Sequence, residues 1–132
     1  PGKSTHSPFD HYIVGLMIDR ADLHARIEER LDSMDKTGWR QEVESLLNQG
    51  YSTKDRALSA IGYPQMIGHL NGESDLSEAI RLTAVATNRL IRRQNNWFKQ
   101  NDKRINWFDM TREPKQKTQS IISAVFQWCE LK

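Results

Sequence analysis

The chain has 132 residues, 37% of them hydrophobic and 27% charged, with a formal net charge of +2 and one cysteine. That length can bury a core without disulfide or metal staples, and four Trp, four Phe and three Tyr exclude a disordered chain, so one domain is the default. Cys129 alone makes no intramolecular disulfide, no apolar run approaches the roughly 20 residues of a membrane span, and the opening residues lack a signal-peptide pattern. A monomer in the cytosol, away from membranes, is the expectation.

In chain order, "HYIVGLMID" (residues 11–19) is β-branched and apolar and predicts a buried strand. Asp19 then suits the N-cap of a helix that places Leu23, Ile27, Leu31 and Met34 at i, i+4, i+8 and i+11 and ends near Lys36-Thr37-Gly38. A second helix carries Trp39, Val43, Leu46 and Leu47 and stops at Gly50, which fits a left-handed C′ position. Thr53 is the expected cap of a short third helix that includes Leu58 and Ile61 and breaks at "GYP". A fourth piece runs from Pro64 to Asn71-Gly72.

From Asp75, "DLSE" has capping-box spacing, and no Gly or Pro intervenes before Gln100, which predicts one helix of about 26 residues. "INWFD" (105–109) alternates as a second strand, and residues 115–131 form a last amphipathic helix with Ile121, Ile122, Val125, Phe126 and Cys129. The fold expected is predominantly helical, with two short strands that lack partners enough for a sheet.

Charge is segregated along this framework. Residues 10–46 hold nine acids against five bases, whereas residues 89–104 hold six bases against Asp102 alone. Projected at about 100° per residue, Arg30 lands on the margin of the apolar arc of the first helix, with Arg26 one turn before it. A guanidinium there needs an anion. The bland solution is an ion pair with a nearby carboxylate such as Glu44, and the functional one is a phosphate, which the planar fork matches in bidentate fashion.

On the long helix, Leu76, Ile80, Leu90, Ile91, Trp97 and Phe98 share one side, with Thr87 and Gln94 among them, where polar groups call for satisfied hydrogen bonds. Arg81, Arg89, Arg92, Arg93, Asn96 and Lys99 share the other side. A face of that composition is either merely solvated or a site for nucleic acid, in which Lys and Arg take phosphates while Trp, Asn and Gln meet exposed bases. "PGKST" at the terminus lacks the first Gly and the strand of a phosphate-binding loop. His6, His11, His24 and His69 show no metal-ligand spacing, and no Ser/His/Asp set can be ordered.

Taken in order, "GLMIDRADLHARIEERLDSM", "GWRQEVESLL", "AIGYPQM", "LNGE", "RRQNNWF" and "INWFD" resemble the C-terminal half of the tRNA dimethylallyltransferase (isopentenyltransferase) family over residues 12–109. The resemblance implies a fold in which the two strands belong to an α/β core like that of nucleotide-binding P-loop NTPases, completed by an N-terminal half. It divides the chain into a core strand (11–19), a helical pair of the catalytic core (20–50), tRNA-facing helices (53–100) and a strand with the C-terminal helix (105–132).

The implied activity is transfer of a dimethylallyl group from dimethylallyl diphosphate to N6 of adenosine-37 in the tRNA anticodon stem-loop. Magnesium, the phosphate loop and the general base are expected upstream of Pro1, so this chain alone is expected to be inactive. Arg30 corresponds to the family arginine that approaches the donor diphosphate, with Arg26 a second candidate. "RRQNNWFK" corresponds to the family's Lys-Arg-Gln-x-x-Trp-Phe-Arg pattern, which makes Arg92, Arg93, Gln94, Asn95, Asn96, Trp97, Phe98 and Lys99 a tRNA-binding segment, with Trp97 and Phe98 expected to anchor the helix. Ser59, Ala60, Ile61, Gly62, Tyr63 and Pro64 correspond to a second tRNA-binding stretch. Asn88 and Pro64 stand where the family often has basic residues. An adenylate dimethylallyltransferase and a non-catalytic helical RNA-binding module are the alternatives.

Overall fold

The computed structural model describes residues 9–131. Its contacts divide the chain into two compact units, Pro1–Asp22 with Phe98–Lys132, and Leu23–Trp97. The helices are α1 (Arg20–Lys36), α2 (Trp39–Asn48), α3 (Tyr63–Leu70), α4 (Leu76–Trp97) and α5 (Pro114–Glu130), and the strands are β1 (Ile13–Met17) and β2 (Ile105–Asp109).

In the first unit the two strands find each other. They pair in parallel, Ile13 beside Ile105 through Met17 beside Asp109, so that each is the other's partner and a two-stranded sheet forms where too few partners were expected. A parallel pair needs a long crossover, and the whole helical unit supplies it. Gly15 is the buried residue of β1 because Trp107 lies across it. A Cβ there would come within 2.5 Å of the indole, the close approach that a glycine inside a strand marks. The indole nitrogen of Trp107 is itself buried with no hydrogen-bond partner among the described residues. Tyr12 and Trp128 bring β1 and α5 together, their ring centroids 5.8 Å apart.

Asp19 behaves as its sequence context predicts. Its carboxylate accepts the Ala21 N–H at 2.8 Å, satisfying one of the free donors at the start of α1. Its own N–H is donated to Thr111 Oγ1 at 2.8 Å.

The helical unit is built around Trp39, Val43, Leu58, Met66 and Ile67, with Met34, Leu46, Leu47, Tyr63, Leu70, Leu76 and Ile80 packed against them. These come from every helix of the unit, so the periodicity of each contributes to a single core. Gly50 has the left-handed φ of 92° expected after α2. The third helix is not an α-helix but a 3-10 turn, Arg56–Ser59, and Asp55 rather than Thr53 precedes it. Its carboxylate makes no cap bond to the turn but accepts the Ser52 N–H, three residues back, at 2.7 Å. Gly62 follows, with φ 108° and its Cα against the Trp39 indole. Gln65 Oε1 accepts the Gly62 N–H at 2.9 Å and closes the first turn of α3.

Asp75 caps α4, accepting the Glu78 N–H at 2.7 Å. The reciprocal half of the capping box is absent because Glu78 is engaged twice by Arg81, at 2.7 Å each, a charge-assisted fork that outcompetes a backbone donor. The helix spans 22 residues rather than 26, about 33 Å at 1.5 Å per residue. It ends early because a turn forms at Asp102, whose carboxylate takes the Arg104 N–H and guanidinium, the latter at 2.6 Å. That bonding holds the Asp102 carboxyl down at about 2.

Gly62→Ala is expected to lower the unfolding free energy by about 2 kcal/mol, since both the positive φ and the 3.2 Å approach to Trp39 oppose a Cβ. Gly50→Ala, which meets nothing within 4 Å, is expected to lose only about 1 kcal/mol. Urea denaturation of the two variants measures the difference that Trp39 makes.

Candidate functional site

Within the helical unit, α1 and α4 face each other across a cleft of about 440 Å³ lined by both helices and by Ile61. From α1 come Leu23, Ile27, Leu31 and Met34, the apolar arc predicted from spacing, together with Arg26 and Arg30. From α4 come Thr83, Thr87, Leu90, Ile91 and Gln94. The arc therefore meets a cleft wall more than a packed core: only Leu31 of the four is buried.

Neither Arg26 nor Arg30 has an ion pair or hydrogen bond among the described residues. The bland alternative, pairing of Arg30 with Glu44, does not occur. Both side chains are exposed at the cleft, so they remain hydrated and charged without the cost of a buried unpaired cation. An apolar floor beneath two free guanidinium groups suits a ligand with an anionic head and a hydrocarbon tail.

The polar residues of α4 divide. Thr87 donates to the Thr83 carbonyl at 2.9 Å, and Thr83, which is buried, donates to that of Ala79 at 2.8 Å. Gln94 is exposed and makes no hydrogen bond among the described residues, so both ends of its amide are open to a ligand. Thr83 escaped notice in the sequence, although Thr83, Thr87 and Gln94 at i, i+4 and i+11 form a polar stripe that was legible there.

The basic face is shorter than its sequence suggests, because Arg81 is neutralised by Glu78. Arg89, Arg92 and Arg93 are exposed and have no ion-pair partner among the described residues. Asn95 and Asn96 are exposed beside them, and Lys99, in the other unit, is exposed and unpaired. Trp97 and Phe98 do not anchor the helix: they are 84% and 58% exposed. The helix terminates at Trp97, short of the predicted Gln100.

In the Ser59–Pro64 stretch, Ser59, Ala60, Ile61 and Pro64 are exposed, whereas Gly62 is buried on Trp39. The Tyr63 hydroxyl donates to Glu42 Oε1 at 2.6 Å, tying α3 to α2 and raising the phenol above its usual range. That hydroxyl is committed to the fold.

No three His, Cys, Asp or Glu side chains gather into a metal site among the described residues. "PGKST" and His6 lie outside the described residues. Among the described residues, no helix is long and apolar enough to cross a membrane.

Residues 1–101 match the family described as IPP transferase. The chain belongs to that family. It is 40% identical over 103 residues to a tRNA dimethylallyltransferase of Symbiobacterium thermophilum, covering 78% of this chain and 32% of that protein. It is 39% identical over 123 residues to one of Carboxydothermus hydrogenoformans, covering 92% and 39%. The crystal structure of the full-length tRNA isopentenylpyrophosphate transferase of Bacillus halodurans matches with a TM-score of 0.78 at 32% identity, over 91% of this chain and 40% of that one. This member of the IPP transferase family thus spans 32% to 40% of the length of these relatives.

The exposure of Trp97 predicts that Trp97→Ala changes stability by no more than about 0.5 kcal/mol. Trp39→Ala, at the centre of the core, is expected to cost about 3–5 kcal/mol. Thermal denaturation of both separates an interaction surface from an anchor.

Proposed function

We propose that this chain forms the donor- and tRNA-facing part of a tRNA dimethylallyltransferase, acting on N6 of adenosine-37 with dimethylallyl diphosphate as donor. The carrying observation is the cleft between α1 and α4, where unpaired Arg26 and Arg30 border an apolar floor. Such a site has the polarity of an allylic diphosphate, with the hydrocarbon against Ile27, Leu31 and Ile91 and the anion at the guanidinium groups.

In this reading the lone pair of N6 attacks the allylic carbon, the carbon–oxygen bond breaks, and its electrons leave with the diphosphate. Arg30, seconded by Arg26, stabilises the negative charge that develops on the departing oxygen. The proton released from N6 needs a base, and the cleft is lined by neither carboxylate nor histidine. That base, with the magnesium that would neutralise diphosphate, is assigned to the greater part of the polypeptide that the relatives possess beyond the matched length.

Two features of the small unit support completion by such a part. A parallel pair is normally covered on both faces and flanked by further strands, and the Trp107 indole N–H awaits an acceptor. The α/β core like that of P-loop NTPases belongs to this proposal.

The unpaired Arg89, Arg92 and Arg93 favour a polynucleotide over free adenylate as acceptor, because a mononucleotide has no backbone to follow three cations along a helix. Arg92, Arg93, Gln94 and Lys99 are the proposed contacts, with Asn95, Asn96, Trp97 and Phe98 available to exposed bases and Ser59 to Pro64 as the second stretch.

In the full-length gene product, Arg30→Ala is expected to lower kcat for prenyl transfer on the order of a hundredfold while tRNA affinity stays unchanged. An unaltered rate would remove Arg30 from the donor site. Arg92→Ala with Arg93→Ala is expected to flatten the dependence of log Kobs on log salt by about one to two for tRNA. A slope equal to wild type would leave the strip a solvated face.

A further inference from the structure

A second, shallower cleft of about 280 Å³ opens between α3 and α4, lined by Pro64, Gln65, Gly68, Glu73, Ser74 and Leu82. It is held open by the turn after α3. The Glu73 N–H is donated to the Gly68 carbonyl at 2.9 Å, and the His69 ring nitrogen Nδ1 lies 3.0 Å from the Ser74 carbonyl. Gly68 permits this closure: a Cβ there would stand 3.2 Å from Glu73 Oε2.

The hydrogen-bonding capacity left over is specific. Glu73 has no ion-pair partner among the described residues, and only Asn71 Nδ2, at 3.3 Å, reaches its Oε1. Gln65 spends its carbonyl oxygen on the Gly62 N–H, so its Nε2 remains a donor. The Ser74 hydroxyl is uncommitted among the described residues. Pro64 and Leu82 add exposed apolar surface.

Its place on α4 ties this cleft to the basic strip. Projected at about 100° per residue from Leu82, Arg89 falls near −20° and Arg93 near +20°. The residues lining the α1–α4 cleft lie instead at about 80° to 180°. One face of α4 therefore runs from two unpaired arginines down to the carboxylate cleft, separate from the face that lines the larger cleft.

We infer that the α3–α4 cleft is a nucleobase subsite that takes one unstacked guanine from the RNA whose phosphates follow Arg89 and Arg93. The inference rests on the RNA reading above and adds to it which base is selected and by what. A carboxylate offers two acceptors side by side, and guanine alone among the four bases presents two adjacent donors on one edge, N1–H and the N2 amine. Adenine, cytosine and uracil each place an acceptor beside their donor and would set it against a carboxylate oxygen. Gln65 Nε2 and the Ser74 hydroxyl supply donors for guanine O6, and the Pro64 ring supplies a flat apolar surface for the base.

The test uses this chain and RNA hairpins whose single-stranded loops differ only in one base: guanine, inosine, which lacks the N2 amine, or adenine. The wild-type chain is expected to bind the guanine loop on the order of tenfold more tightly than either other loop. Glu73→Gln, which keeps side-chain length but loses the paired acceptors, is expected to abolish that preference with the salt slope unchanged. Leu82→Trp, on an exposed position, fills the cleft and is expected to do the same.

Equal affinities for the three loops, or a guanine preference that survives in both variants, overturns the subsite while leaving salt-dependent RNA binding in place. Absence of salt-dependent binding to any hairpin overturns the RNA reading, and this inference with it.

Discussion

The buried Trp39 indole is the surface on which the helical unit is assembled. It begins α2, its ring receives the Cα of Gly62, and Thr83 of α4 lies just beyond the same glycine. A side chain at position 62 would push between the ring and α4, so the separation of α2, α3 and α4 depends on that missing Cβ. From this contact follow the position of the 59–64 loop, the seating of Ile61 at the edge of the larger cleft, and the start of α3 at Tyr63, which Glu42 then ties back to α2.

The two faces of α4 divide the chemistry. The face toward α1 carries Thr83 and Thr87, which return their hydroxyl protons to the helix backbone, and Gln94, which keeps its amide free. Threonine in this mode lets a helix wall be polar without demanding a partner from across the cleft. About a third of a turn away, Arg89 and Arg93 stand unpaired. Acidic side chains cluster early on the chain while these cations lie late, and three ion pairs among the described residues are local: Lys36 with Asp32, Arg81 with Glu78, Arg104 with Asp102. Each has at least one exposed partner and is of little worth to stability, so the charges left unpaired are not spent on holding the fold.

The small unit follows a different logic. Its strands lie far apart in sequence yet pair in register, and the pairing is made possible by Gly15, over which Trp107 can lie. The helical unit is an insertion between two neighbouring parallel strands, which explains how residues on both sides of it share one compact unit.

Much of this was determined by the sequence by itself: the β1 and β2 segments, the Asp19 and Asp75 caps, the glycine stops, the apolar arc of α1 and the family. These are local signals, read from the period of apolar residues and the reach of a carboxylate to a backbone N–H two or three residues on. The ordered motifs also named Arg30 and Gln94, helical spacing added Arg26, and the structure places all three on one cleft. What only the tertiary structure decided depends on groups distant in sequence. The pairing of β1 with β2 is one such case. Others are the failure of Arg30 to find Glu44, the exposure of Trp97 and Phe98, the commitment of the Tyr63 hydroxyl to Glu42, and the meeting of Gln65 with Glu73 at a second cleft. Spacing along a helix says which side chains share a face. Whether that face meets a core, a cleft or water depends on where the other helices are, and here that is settled by one tryptophan and the glycine that lies against it.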